Sequence, residues 1–169
     1  MKKHSTILLG LGLLVGAAPL ASARVWDVTA DFSDTVNPAG AWSYGWEPSL
    51  RSPFSLYTVL ERDLDRVDWL TPNGTEPVLW KNLSNQTLYG IPPGWVCLHP
   101  GPSEEPSVAR WTSPVAGVVS LEGLFGAGDQ ATLDAYIQKN GVTIWSALDF
   151  TTDQPFSFDV TVGVGDTLD

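Results

Sequence analysis

Trp42, Tyr44 and Trp46 are the first residues of this chain whose types and spacing could do chemistry. Alternation along an extended segment puts the three rings on one face and Ser43 with Gly45 on the other. Presented to solvent, such a face is a platform for the apolar side of a ligand, a sugar ring included. Turned inward, the same rings fill the space between two sheets. The residues permit both readings. Trp95 and His99 are the second candidate. They lie between the rigid turns Ile91-Pro92-Pro93-Gly94 and Pro100-Gly101-Pro102, a setting that suits the rim of a loop-lined site. Trp42, Tyr44, Trp46, Trp95 and His99 are therefore the candidate ligand-binding residues.

Catalytic chemistry has less support, and no catalytic residue is assigned. His4 and His99 are the only histidines, and a Ser-His-Asp arrangement outside the first turns of chain would have to use His99. No Gly-x-Ser-x-Gly elbow accompanies it. Nineteen acidic residues guarantee some carboxylate pair at glycosidase spacing, so their number does not discriminate. Cys97 is the only cysteine, which excludes an intrachain disulfide and a zinc cluster. It sits in the apolar run Trp95 to Leu98 and is expected as a buried, inert thiol. Asp63, Asp65 and Asp68 could meet Ca²⁺, but the stretch has no Gly at the sharp-turn position and no closing Glu. Asp129 in the loop Gly126 to Gln130 serves equally as a turn residue. No cofactor is expected, and calcium is permitted without being required. Arg110 needs a carboxylate partner if it points inward.

The elements that must position these residues are strands. Ser107 to Asp169 sets the pattern. Val119, Leu121, Gly123 and Phe125 alternate with Ser120 and Glu122; Leu133, Ala135 and Ile137 alternate with Asp134, Tyr136 and Gln138; Phe156, Phe158, Val160 and Val162 alternate with Ser157, Asp159 and Thr161. Asn140-Gly141 between two such runs predicts a type I′ hairpin. Earlier in the chain, Arg24 to Ser33, Ala41 to Trp46, Phe54 to Leu60 and Trp95 to His99 read as strands, with short apolar pieces at Val67 to Leu70 and Val78 to Trp80. The charged stretch Glu61 to Asp68 reads as a solvated loop or a single helical turn. Thr167-Leu168-Asp169 looks like a strand just beginning. A sheet edge exposed there would be a liability, so the expectation is a fragment lacking its last strand; a short edge strand is the alternative.

Lys2, Lys3 and His4, the apolar run Ile7 to Ala18 and Ala21-Ser22-Ala23 form a secretory leader cut after Ala23. The apolar run is too short to span a membrane. Residues 24–169 then make one domain, large enough to bury a core. The formal net charge of −10 becomes more negative once Lys2 and Lys3 leave with the leader. Such acidity argues against nucleic acid as a partner. The expected location is outside the cell or on its surface.

Asp31-Phe32-Ser33, Asn37-Pro38-x-Gly40, Trp42-Ser43-Tyr44-Gly45-Trp46, Leu98-His99-Pro100-Gly101, Ser107-Val108-x-Arg110-Trp111-Thr112-x-Pro114, Asn140-Gly141 and Gly165-Asp166-Thr167-Leu168-Asp169 occur in that order. The set, which covers nearly all of the chain after the leader, resembles a domain of secreted planctomycete and verrucomicrobial proteins of the PEP-CTERM-associated type. The resemblance implies a jelly-roll sandwich similar to galactose- and carbohydrate-binding modules, and no established activity. It also implies a further strand and, later, a sorting tail, the only route to a membrane anchor. The expected fold is thus all-β: an antiparallel β-sandwich, jelly-roll-like, of about eight to ten strands. The expected function is a non-catalytic binding module with polysaccharide as its ligand class. A purely structural envelope or matrix domain is the alternative, and a polysaccharide-degrading enzyme the third reading.

Overall fold

The computed structural model describes residues 24–129 and 132–169. The expected leader, Met1 to Ala23, lies outside the described residues, as does Gln130. The fold is all-β and antiparallel, a sandwich-like arrangement of sheets as expected. One layer is a six-stranded sheet. Its strands are β1 (Trp42–Trp46), β2 (Ser55–Leu56), β7 (Ser107–Thr112), β9 (Leu133–Lys139), β10 (Val142–Phe150) and β12 (Thr167–Leu168), in the order β10-β9-β12-β7-β1-β2. Against it lie a four-stranded sheet of β3 (Val59–Arg62), β4 (Arg66–Leu70), β5 (Val78–Asn82) and β6 (Val96–His99), and a two-stranded ribbon of β8 (Gly117–Phe125) and β11 (Gln154–Val162). The strands exceed the expected number because several are very short.

The register explains which face is core. Tyr44 stands opposite Ala109, and Trp42 opposite Trp111. These inward residues meet two different partners across the sandwich. Tyr44 and Tyr57 pack on Trp69 and Leu79 of the four-stranded sheet, while Trp111 and Leu168 pack on Val162 of the ribbon. A third, smaller cluster of Leu70, Val78 and Trp80 lies on the outer face of the four-stranded sheet, roofed by Leu88 and Ile91. Burying an aromatic or large aliphatic side chain gives on the order of 2 kcal/mol each, so these three clusters supply the principal driving force.

Several expectations are corrected. Arg24 to Ser33 is not a strand. The Asp27 carboxylate accepts from the Thr29 hydroxyl at 2.7 Å and from the N–H groups of Thr29 and Ala30 at 2.8 and 3.1 Å. Those local bonds turn the chain before a ladder can form. Glu61 to Asp68 is neither loop nor helical turn but a hairpin. Glu61 and Arg62 belong to β3, and Asp63 closes the turn by accepting from the N–H groups of Asp65 and Arg66. Phe54 to Leu60 is split by Tyr57 and Thr58. There the Asn37 amide replaces a strand partner, donating to the carbonyls of Tyr44 and Tyr57 at 2.7 and 2.9 Å while its Oδ1 accepts the Tyr44 N–H at 2.8 Å.

The Asn140-Gly141 turn is formed as expected, with φ of 50° and 76°. The alternative of a short edge strand at Thr167-Leu168-Asp169 is corrected. β12 is not at an edge but between β9 and β7. Its entry is fixed by Asp166, which accepts from the Gly163 N–H and the Asn140 amide and pairs with Lys139 at 3.0 Å.

Gly45 is a close-approach position. A Cβ there would run into the Ser55 carbonyl and the ring of Phe54, and Phe54 in turn lies over the Arg110 guanidinium at 4.0 Å. Gly45→Ala should cost about 1–3 kcal/mol, the usual range for overpacking a fitted site. Chemical denaturation measures it, and an unchanged midpoint would mean that the β1–β2 connection yields freely.

Candidate functional site

The sandwich has a groove at the end where the segment before β1, the residues following β7 and the turn following β11 converge. One lobe of about 270 Å³ is lined by Arg24, Trp26, Asp31, Gly40 and Trp42 among others. A second of about 410 Å³ continues past Arg24 and Trp26 to Ser113, Pro114, Val164 and Gly165. Loops at one end of a rigid sandwich are where binding groups accumulate, because the strands hold them without constraining their sequence.

The turn closed by Asp27 builds the first lobe. It brings Asp31 back so that its carboxylate accepts from the Asp27 N–H at 3.1 Å and the Trp42 indole N–H at 3.3 Å. Trp26 packs edge-on against buried Trp111, with ring centroids 5.2 Å apart at 61°. Arg24 lies over the other side of the Trp26 ring at 5.3 Å. Among the described residues the buried Trp26 Nε1–H has no hydrogen-bond partner, and the same holds for those of Trp46 and Trp111. A donor in that state costs free energy unless something accepts from it. The groove thus joins two half-buried indoles, a carboxylate and a guanidinium. These are the ingredients of a polar, aromatic-lined binding site.

The five residues singled out from sequence are not brought together. Trp42 lines the groove. Tyr44 has no exposed surface; its ring stacks on Phe32 and its hydroxyl accepts the Ser33 N–H at 3.0 Å, so it is core and has no face to offer a ligand. Trp46 is half-buried and packs against the same cluster. Trp95 and His99 flank opposite ends of β6. Trp95 packs over Gly126. His99 is half exposed, with Nδ1 at 2.8 Å from the Pro100 carbonyl and 3.7 Å from Glu76. The residues that sequence reasoning passed over are Arg24, Trp26 and Asp31. The signal was present in Asp27-x-Thr29, a turn pattern embedded in what otherwise alternates like a strand.

Two further polar clusters lie on outer faces. On the four-stranded sheet, Asp68 is buried beside Arg66 at 3.0 Å, with its other oxygen unpartnered among the described residues. Burial raises its pKa. Cys97, expected to be buried, is half-buried, and that burial pushes its thiol up to about 12, against the Trp80 hydrogen bond that favours the thiolate. Among the described residues, no three His, Cys, Asp or Glu side chains converge as metal ligands. Asp63 uses its Oδ1 on the hairpin turn. On the six-stranded sheet, Arg110 meets the Asp169 carboxylate with two bonds of 2.6 and 2.7 Å. Beside them Glu47 is 2% exposed and Gln138 is 4% exposed. Glu47 accepts the Arg51 N–H at 2.8 Å. Comparison with known proteins finds no matching family model, curated protein or solved structure.

Burial, aided by the nearby Asp169 charge, raises the Glu47 pKa above its ordinary 4.5, outweighing Arg110 and the Arg51 N–H. A raised carboxylate pKa means that the folded state favours the proton. Its contribution is therefore complete below the ordinary value and is lost as pH rises through the raised one. Glu47→Gln keeps an acceptor for Arg51 and removes the charge. The variant should match the parent near pH 4 and exceed it in stability at pH 7, measured by thermal melts across that range. A parent that instead loses stability relative to the variant on acidification would contradict the sign.

Proposed function

We propose that the protein is an exported, non-catalytic binding module and that it takes polysaccharide in the groove at the end of the sandwich. The observation that carries this reading is the lining of the groove: the half-buried Trp26 ring borders both lobes, and Trp42, Asp31 and Arg24 stand beside it in the first. A sugar ring offers such a wall an apolar face for the indole to cover. Asp31 and Arg24 add an acceptor and a donor for hydroxyls at the rim. Export is supported by the leader pattern of Met1 to Ala23, and a surface setting by the motifs that resemble a secreted bacterial domain.

The alternative, a purely structural envelope or matrix domain, is favoured by the full burial of Tyr44 and the deep burial of Trp69, Trp80 and Trp111. Affinity gels cast with neutral and acidic polysaccharides (β-glucan, xylan, galactomannan, polygalacturonate) separate the two. Retardation on at least one, weakened about tenfold or more by Trp26→Ala, roughly 1.4 kcal/mol, and unaltered by His99→Ala, is the expected outcome. No retardation on any of them would leave the structural reading standing.

A further inference from the structure

Three arginines lie over aromatic rings. The Arg110 guanidinium covers Phe54 at 4.0 Å and that of Arg66 covers Trp80 at 5.6 Å. Arg24 lies over Trp26 at 5.3 Å. The first two also meet a carboxylate. Asp169 accepts from Arg110 with bonds of 2.6 and 2.7 Å, and Asp68 stands 3.0 Å from Arg66. A planar, delocalised cation suits both contacts at once: an aromatic ring takes its face, and a carboxylate takes the fork of N–H groups along its edge.

Arg24 has the ring without the carboxylate. Among the described residues no Asp or Glu forms an ion pair with it. Residues 1–23, 130 and 131 contain no Asp or Glu, so that comparison takes in every acidic side chain of the sequence. Asp31 shares the first lobe of the groove with Arg24, but its carboxylate is turned to other donors, the Asp27 N–H and the Trp42 indole.

The two lobes differ in charge as a result. The first holds Asp31 as well as Arg24. The second, of about 410 Å³, runs from Arg24 and Trp26 to Ser113, Pro114, Val164 and Gly165, and Arg24 is the only charged residue of its lining. A lone fixed cation in a concave wall focuses its field on anions. Here that local sign is opposite to the formal net charge of −10 on the whole chain.

We propose that the groove selects acidic polysaccharide, and that Arg24 makes the selection by holding a uronate carboxylate in the second lobe while its guanidinium stays on Trp26. The inference rests on the reading of the groove as a polysaccharide site. It gives Arg24 the arrangement that Arg66 and Arg110 already have, with the carboxylate supplied by the ligand. Uncharged hydroxyls fall to the first lobe, where Asp31 accepts from them.

The test compares affinity gels cast with polygalacturonate and with its fully methyl-esterified form, which keeps the chain of sugars and removes the charge. Both are run at about 0.15 M salt, where a Debye length of about 8 Å screens the general repulsion between an acidic protein and a polyanion. The free acid should retard the parent about tenfold more strongly than the ester. Arg24→Gln should abolish that preference. Arg24→Lys, which keeps the charge and loses the planar fork, should restore only part of it. Equal retardation of the parent on the two gels would overturn the selectivity and leave the polysaccharide reading in place. So would an Arg24→Gln variant that still prefers the acid. No retardation on either gel would overturn the proposal as well, and gels cast with neutral β-glucan, xylan and galactomannan then decide whether the polysaccharide reading falls with it.

Discussion

The inward facing of β1 is the constraint on which the rest depends. Because Tyr44 points into the sandwich, it must have aromatic neighbours and a partner for its hydroxyl, and both are provided by the segment that precedes it, in Phe32 and Ser33. Trp69 reaches the same segment, donating its indole N–H to the Ser33 carbonyl at 2.8 Å. The stretch before β1 is thereby pinned against the core although it forms no strand. Once it is pinned, Trp26 and Asp31 have no choice of position, and the groove exists as a consequence.

The outer face of the same sheet carries the opposite chemistry. Gly45 admits Phe54, Phe54 covers Arg110, and Arg110 holds Asp169. A guanidinium shared between an aromatic face and a carboxylate ties β1, β7 and the end of β12 together. Glu47 is buried near this pair at a cost, since one arginine serves two carboxylates. The inner face stabilises by burial without direction, and the outer face fixes which strand lies beside which.

Fold class was legible because turn chemistry is local. Asn140-Gly141 specifies its hairpin whatever surrounds it, and the alternation of β8 and β11 survives intact in the structure. The misread elements are those where a side chain took over a backbone role. Asp27 bonded to its own turn, Asn37 stood in for a strand, and Asp63 made a hairpin of a charged run. Composition cannot reveal such substitutions, since an Asp or Asn in an alternating stretch looks like any polar residue on its outer face. The position of β12 was hidden for a different reason: strand order is a long-range property, and two residues carry no pairing preference of their own. The candidate site was half legible. Trp42 was found by type and spacing. The side facing inward, which consumed Tyr44, depended on sheet partners far away in the chain.

The central claim is that Trp26 and Trp42 meet ligand while the remaining indoles serve the fold. The most direct test follows the eight tryptophan indole N–H resonances of ¹⁵N-labelled protein during titration with a polysaccharide that retards it. The account predicts that the Trp26 and Trp42 resonances shift together and saturably, while those of Trp95 and Trp145 stay in place. Shifts confined to Trp95, with Trp26 and Trp42 unmoved, would contradict it.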